Sequence, residues 1–282
     1  MSRQFAASHV VAGLMLLLML VFIVGVPLLP GYEPYAQDLA GSLVPVGGTS
    51  PDGVFYLLGT DTLGRDMFSR LALAGQVSVL IGAGAVLFSL VLGVGLGLVA
   101  GYFGGVAESA IMGLADLQLS IPRILLLIAV TAVMGSGEVK LALLLGATSW
   151  VSYGRVARAM ALTLRNREFV LAAITQGATS SWTIRKHLLP NVAPQMLIVA
   201  SSEFGQIVLL EASLSYLGLG VQPPLPSWGA MVAEGQTYLS LAPSLSILPS
   251  VALFVLIGGL QILSQAFTAE NDPMGLRRET AG

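Results

Sequence analysis

Cysteine is absent from all 282 residues, which excludes disulfides, thiolate metal ligation and a cysteine nucleophile. Histidine is almost as scarce, and His9 and His187 are too few to build a histidine-rich metal site. Only 10% of residues are charged, and a net charge of -2 with no extended basic patch leaves nothing to neutralise a run of phosphates. No G-x-x-x-x-G-K-[ST] phosphate loop occurs, so this chain does not bind and hydrolyse ATP by that route. A G-x-G-x-x-A string at Gly95, Gly97 and Ala100 sits inside an apolar run with no strand before it, which removes a dinucleotide-fold interpretation. No serine, histidine and acid set converges in the pattern, so a hydrolase has no support.

What is abundant is apolar length. Hydrophobic residues make up 55% of the chain and the mean hydropathy is +0.84, so lipid is the solvent for most of it. Runs of about 20 apolar residues, the length that crosses a hydrocarbon core, recur throughout. They predict six transmembrane helices at 10–29, 77–99, 111–133, 139–159, 194–214 and 245–263. The first is long for a signal peptide and has no A-x-A-like cleavage site, which favours an anchor. The expected organisation is a single all-α membrane domain: an anchor helix and extracytoplasmic segment over 1–72, a five-helix core over 73–268 and a cytoplasmic tail over 269–282.

With the amino terminus in the cytoplasm, Arg3, Arg155, Arg158, Arg165, Arg167, Arg185, Lys186, Arg277 and Arg278 fall on that side, against Arg65, Arg70 and Lys140 outside. That imbalance follows the positive-inside bias and places both ends in the cytoplasm. Gly93, Gly97 and Gly101 repeat every four residues, a face on which another helix can approach closely.

The longest cytoplasmic segment, 155–191, carries six of the thirteen basic residues. A helix over 168–176 ended by Gly177, a second helix capped by Ser180 or Ser181, and a stop at Pro190 before the next span would make a helical knob at the membrane surface. Small residues Ala172, Ala173 and Gly177 would let it enter a groove on a soluble partner. Leu171-Ala172-Ala173, then Gly177 after three residues, then His187-Leu188-Leu189-Pro190 after nine more, resembles the cytoplasmic EAA loop of ABC importer permeases. Leu171 stands where a glutamate is common and His187 where an isoleucine is common. The strings around Gly59-Thr60-Asp61, Arg65-Asp66, Gly101-Tyr102-Phe103-Gly104-Gly105, Asp116 and Glu211-Ala212-Ser213-Leu214-Ser215-Tyr216-Leu217-Gly218 extend the similarity to the dipeptide, oligopeptide and nickel branch. There it is similar to the second permease of the pair.

The resemblance implies a heterodimer with a second homologous permease, two cytoplasmic ABC ATPase subunits holding ATP and Mg, an extracytoplasmic substrate-binding protein, and no cofactor in this chain. It implies transport of di- or oligopeptides or similar small solutes, driven by ATP hydrolysis on the partners. The implied coupling loop comprises Glu168, Leu171, Ala172, Ala173, Gly177, His187, Leu189 and Pro190. An ion-coupled secondary transporter is the alternative, for which repeated halves and broken helices would be expected, and no clear internal repeat is present.

Individual residues carry competing interpretations. Gly177 serves as a helix stop, a docking contact or both. Arg155, Arg158, Arg165 and Arg167 are most economically topology determinants with solvated heads. Arg123 and Glu203 fall within predicted spans, where each charge costs at least about 2.5 kcal/mol unpaired. They either line a translocation path or pair for packing. Asp61, Arg65 and Asp66 make a charge-paired turn or a docking surface for the binding protein. Glu211 is expected to be structural, and Trp228 to sit on a short outer helix with its indole at the interface.

Overall fold

The computed structural model describes residues 2–270, with side chains over 8–265. Arg277, Arg278 and most of the expected tail lie outside the described residues, as does the side chain of Arg3. Ten α-helices are present among them: α1 (Ser2–Gly25), α2 (Met67–Phe103), α3 (Gly105–Leu119), α4 (Arg123–Met134), α5 (Glu138–Leu164), α6 (Glu168–Thr175), α7 (Ser180–Thr183), α8 (Leu189–Tyr216), α9 (Trp228–Gln236) and α10 (Ser244–Glu270). A two-residue antiparallel pair, β1 (Gly48–Thr49) and β2 (Phe55–Tyr56), lies in the segment between α1 and α2.

Four helical stretches, 8–28, 67–103, 180–216 and 244–265, are long and apolar enough to cross a membrane, and the α3–α4 pair makes a fifth if its two arms are one span. The third expected span is therefore not one helix. Its arms meet at 88° because Pro122 has no amide hydrogen to donate and disfavours helical geometry at Ile121. The fourth expected span, α5, has 27 residues, about 40 Å of helix, but is not apolar enough to count among the membrane-crossing helices. Three polar positions in its middle face protein, since Thr148, Ser149 and Tyr153 are buried.

The α2–α5 contact is the most extensive in the molecule. It is made by the glycine repeat: a Cβ on Gly93 would lie 2.7 Å from Tyr153 Cβ, on Gly97 2.8 Å from Ala157 Cβ, and on Gly101 2.6 Å from Ala161 Cβ. Removing side chains on one face lets the backbones approach, and dispersion takes over where lipid supplies no hydrophobic drive. At the amino-terminal end of α2, helices α1, α2, α9 and α10 enclose Ile23, Leu71, Trp228, Met231 and Leu245. The Trp228 indole is fully buried there and donates to the Leu71 carbonyl at 3.0 Å. The short helix expected at this point is α9, but the indole is an internal bolt, because Gly75 opens the space it fills.

The segment entering α2 is tied down by charge. Asp66 caps the helix, accepting from the amides of Phe68 at 3.2 Å and Ser69 at 2.9 Å. Asp61 pairs with Arg65 at 2.6 Å and with buried Arg70 at 3.1 Å, and Arg70 also reaches Glu234 on α9 at 3.5 Å. These contacts form the charge-paired turn.

Candidate functional site: the helical knob and the Arg123–Glu203 pair

The knob begins where α5 ends. Glu168 opens α6, its negative charge favourable at a helix amino terminus, and the side chain is exposed. At the far end the Gly177 amide donates to Ile174 O at 2.9 Å and the Ala178 amide to Ala173 O at 3.0 Å, with Gly177 at φ +88°. This is a Schellman stop, and its left-handed residue has to be glycine or, at some cost, asparagine. A Cβ at Gly177 would meet no atom within 4 Å, so backbone conformation, not crowding within this chain, demands the glycine.

The next helix is capped by Thr179, whose Oγ1 accepts from the Trp182 amide at 3.3 Å; Ser180 and Ser181, expected as caps, lie inside α7. Pro190 does not stop the chain. From α7 the backbone passes through one π turn, Ile184–Leu188, straight into α8. The wider turn, closed by the Leu189 amide on Ile184 O, makes room where the proline ring would otherwise press on the carbonyl four residues before it. Leu189 and Pro190 remain exposed at the start of α8.

The knob is anchored by two side chains that sequence reasoning did not single out as anchors. Val170 and Leu188 are fully buried in a cluster with Leu98, Ala157, Ala161 and Val192, so the knob rides on the carboxyl-terminal ends of α2 and α5 and the start of α8. Its outer surface is apolar, with Phe169, Leu171, Ile174 and Trp182 all more than 40% exposed. A shallow recess of about 720 Å³ lies between the two helices, lined by Ala172, Ala173, Gly177, Thr179, Trp182 and His187 among others. The His187 ring packs against Phe169 and Trp182, at centroid distances of 5.6 and 5.1 Å. The structure thus brings Ala172, Ala173, Gly177 and His187 around one recess and leaves Glu168, Leu171, Leu189 and Pro190 at its margins.

Three of the four arginines at 155–167 have partners, while Arg167 is exposed. Arg155 pairs with Asp116 at 2.5 Å, Arg158 donates to Glu108 at 2.6 Å, and Arg165 donates to the Gly101 carbonyl at 2.9 Å, satisfying the carboxyl end of α2. Together the first two hold α3 against α5.

Arg123 and Glu203 do meet, with Nη1 and Oε2 3.9 Å apart. Arg123 stands not within a continuous span but on the first residue of α4, at the break. It also donates to Ser149 Oγ on α5. Glu203 lies halfway along α8 and is 7% exposed. Arg123 Nε and Glu203 Oε2 have no hydrogen-bond partner. Beside them Gln118 of α3 spans to α5, donating to Thr148 O at 2.8 Å and accepting from the Trp150 indole at 2.9 Å. The break had a signal in the sequence, Pro122 in mid-span, which a reading by apolar length alone passes over. Glu211 is fully buried and accepts from Ser215 Oγ at 2.6 Å.

Residues 93–266 match the family described as "Binding-protein-dependent transport system inner membrane component". Among curated relatives, the chain is 37% identical over 219 residues to the glutathione transport system permease protein GsiD of Pectobacterium atrosepticum, covering 77% of this chain and 72% of that one. It is 36% identical over 253 residues to the di/tripeptide transport system permease protein DppC of Pseudomonas aeruginosa, covering 87% and 84%. To the nickel transport system permease protein NikC of Escherichia coli it is 35% identical over 242 residues, covering 86% and 85%. Among solved structures, a chain of the inward-facing MetNI methionine ABC transporter superposes with a TM-score of 0.56 at 19% identity, over 71% of this chain and 95% of that one, a likeness of fold. The broken α3–α4 helix would by itself have suited a secondary transporter, but the family match overrides that alternative. The chain belongs to the binding-protein-dependent inner membrane components, as an ABC importer permease of the dipeptide, oligopeptide and nickel family.

Proposed function

We propose that this chain forms one half of the translocation pathway of an importer for di- or oligopeptides or similar small solutes, and that the knob formed by α6 and α7 is the coupling element. The observation that carries the proposal is an apolar, recessed surface, Phe169 to His187, built on the cytoplasmic ends of three long helices. Exposed apolar groups off the membrane stem call for a protein partner, and the partner of an importer permease at this face is its ATPase. ATP and Mg would be held by two such ATPase subunits, a second permease would complete the path, and a binding protein would deliver cargo at the opposite face. The inner membrane is then the location, with both termini in the cytoplasm, as the arginine distribution favours.

The mechanism follows from linkage. Closure of the ATPase pair on ATP moves the two knobs, and a knob whose Val170 and Leu188 are embedded among α2, α5 and α8 carries those helices with it. ATP shifts the packing only by binding one arrangement more tightly than the other.

Gly177→Asn tests docking apart from folding, since asparagine tolerates the left-handed backbone yet adds bulk at the recess. With the permease inserted normally, ATPase co-purification should fall sharply, and further for Gly177→Asp. Full ATPase capture by both variants would sink the coupling assignment. Failure of the unaltered chain to capture any ATPase would sink the importer assembly itself.

A further inference from the structure

The Arg123–Glu203 pair is poorly closed for two charges at membrane depth. A charge-assisted contact settles at about 2.7–2.9 Å, and this one stands at 3.9 Å. Glu203, more than nine-tenths buried, keeps Oε2 without a hydrogen bond, and Arg123 keeps Nε without one. A pair serving only for packing would close, because buried polar atoms left unsatisfied cost free energy. The Arg123 side chain is meanwhile 28% exposed, so one end of the pair can be reached from outside the protein interior.

The two charges stand on different helices. Arg123 sits on the first turn of α4, immediately after the break; α4 has α5 as its main packing partner, and one turn further on its Leu127 is buried in a cluster that also holds Ile207 and Leu214 of α8. Glu203 sits at the midpoint of α8, a continuous helix. Arg123, at the very start of the 12-residue α4 and ahead of Leu127, can draw away from Glu203 by a tilt of that short arm about its buried part. Separated, they offer a guanidinium and a carboxylate across a gap, with Ser149 Oγ beside the guanidinium.

We infer that Arg123 and Glu203 form a binding site for the two charged ends of a zwitterion, the cargo carboxylate on Arg123 and its ammonium on Glu203. The inference rests on the importer assignment and narrows it to solutes with a free carboxylate and a free amine. An extended dipeptide places its termini about 5–7 Å apart, so entry requires the pair to open beyond its present separation. Opening exchanges one long ion pair for two shorter charge-assisted contacts, so a zwitterion favours the open arrangement and a singly charged solute gains only one of them.

The test uses the purified complex of both permeases with their ATPases, without the binding protein, and reads its thermal midpoint against millimolar alanyl-alanine, N-acetyl-alanyl-alanine and alanyl-alanine amide. Alanyl-alanine should raise the midpoint, and capping either terminus should weaken apparent affinity about tenfold or more. Arg123→Gln should remove the preference for a free carboxylate and Glu203→Gln that for a free amine. No response to alanyl-alanine in a complex that still hydrolyses ATP, or equal responses to all three compounds, would overturn the site while leaving the importer intact. Absence of ATPases from the preparation would instead defeat the reading on which the site rests. Because the capped compounds are compared on the unaltered complex, the test stands even where a variant fails to fold.

Discussion

At the scale of single residues, the chain's scarce charges and abundant glycines each do definable work. The Arg123–Glu203 pair gives the sharpest energetic expectation. Neutralising one member strands the other in a low-dielectric setting, whereas neutralising both removes the problem. Arg123→Gln or Glu203→Gln should each destabilise the assembled complex by up to about 3 kcal/mol, with Glu203→Gln at the lower end because the Arg123 it strands is partly exposed, and the double variant should recover most of the loss. Thermal midpoints of the three variants decide it, and additive losses would mean that the two groups act independently. Gly97 yields a second expectation. A leucine there would drive its Cβ to 2.8 Å from Ala157 Cβ and its branches beyond, so α2 and α5 must separate. Gly97→Leu should abolish the monodisperse gel-filtration peak, while Gly95→Leu, on an open face, should leave it. The glycine face was legible from its spacing of four alone. That Arg123 and Glu203 touch was not, because eighty residues and three breaks between helices separate them and only packing brings them together.

At the scale of elements, helix ends decided what apolar runs could not. Gly177 was readable as a stop, and the Schellman bonds give the reason. The cap of the next helix was misplaced by one or two residues, since Thr179, Ser180 and Ser181 all carry a suitable hydroxyl and only the emerging backbone path selects Thr179. Thr179→Ala should therefore destabilise α7 by about 1 kcal/mol. Amide hydrogen exchange of the peptide containing Trp182 should speed up by about fivefold, whereas Ser181→Ala should leave it unchanged. The stop expected at Pro190 gave way to a π turn, a solution that keeps the knob in one continuous rod with α8. That continuity matters for coupling, because a hinge at Pro190 would absorb displacement of the knob. The bend at Pro122 is the converse: a proline without such relief breaks its helix at 88°. Two prolines in apolar surroundings thus have opposite outcomes, and local sequence does not distinguish them.

At the scale of the whole molecule, the apolar surface of the knob fits the proposed importer, in which partner subunits would supply the energy. Reconstituted alone in liposomes the chain should support no uptake under proton or sodium gradients, and with its partners it should support uptake only when ATP is supplied on the ATPase side. Gradient-driven uptake by the isolated chain would revive the secondary-transporter alternative. What the sequence by itself determined was the solvent, the class and the family: apolar length is additive along the chain, and the EAA-like spacing is local. Only the tertiary structure decided which long helix is shielded from lipid, where a span is broken, and which charges meet. Those outcomes depend on side chains remote in sequence, Gly93 with Tyr153, Trp228 with Leu71 and Arg123 with Glu203, and no periodicity within one helix encodes them.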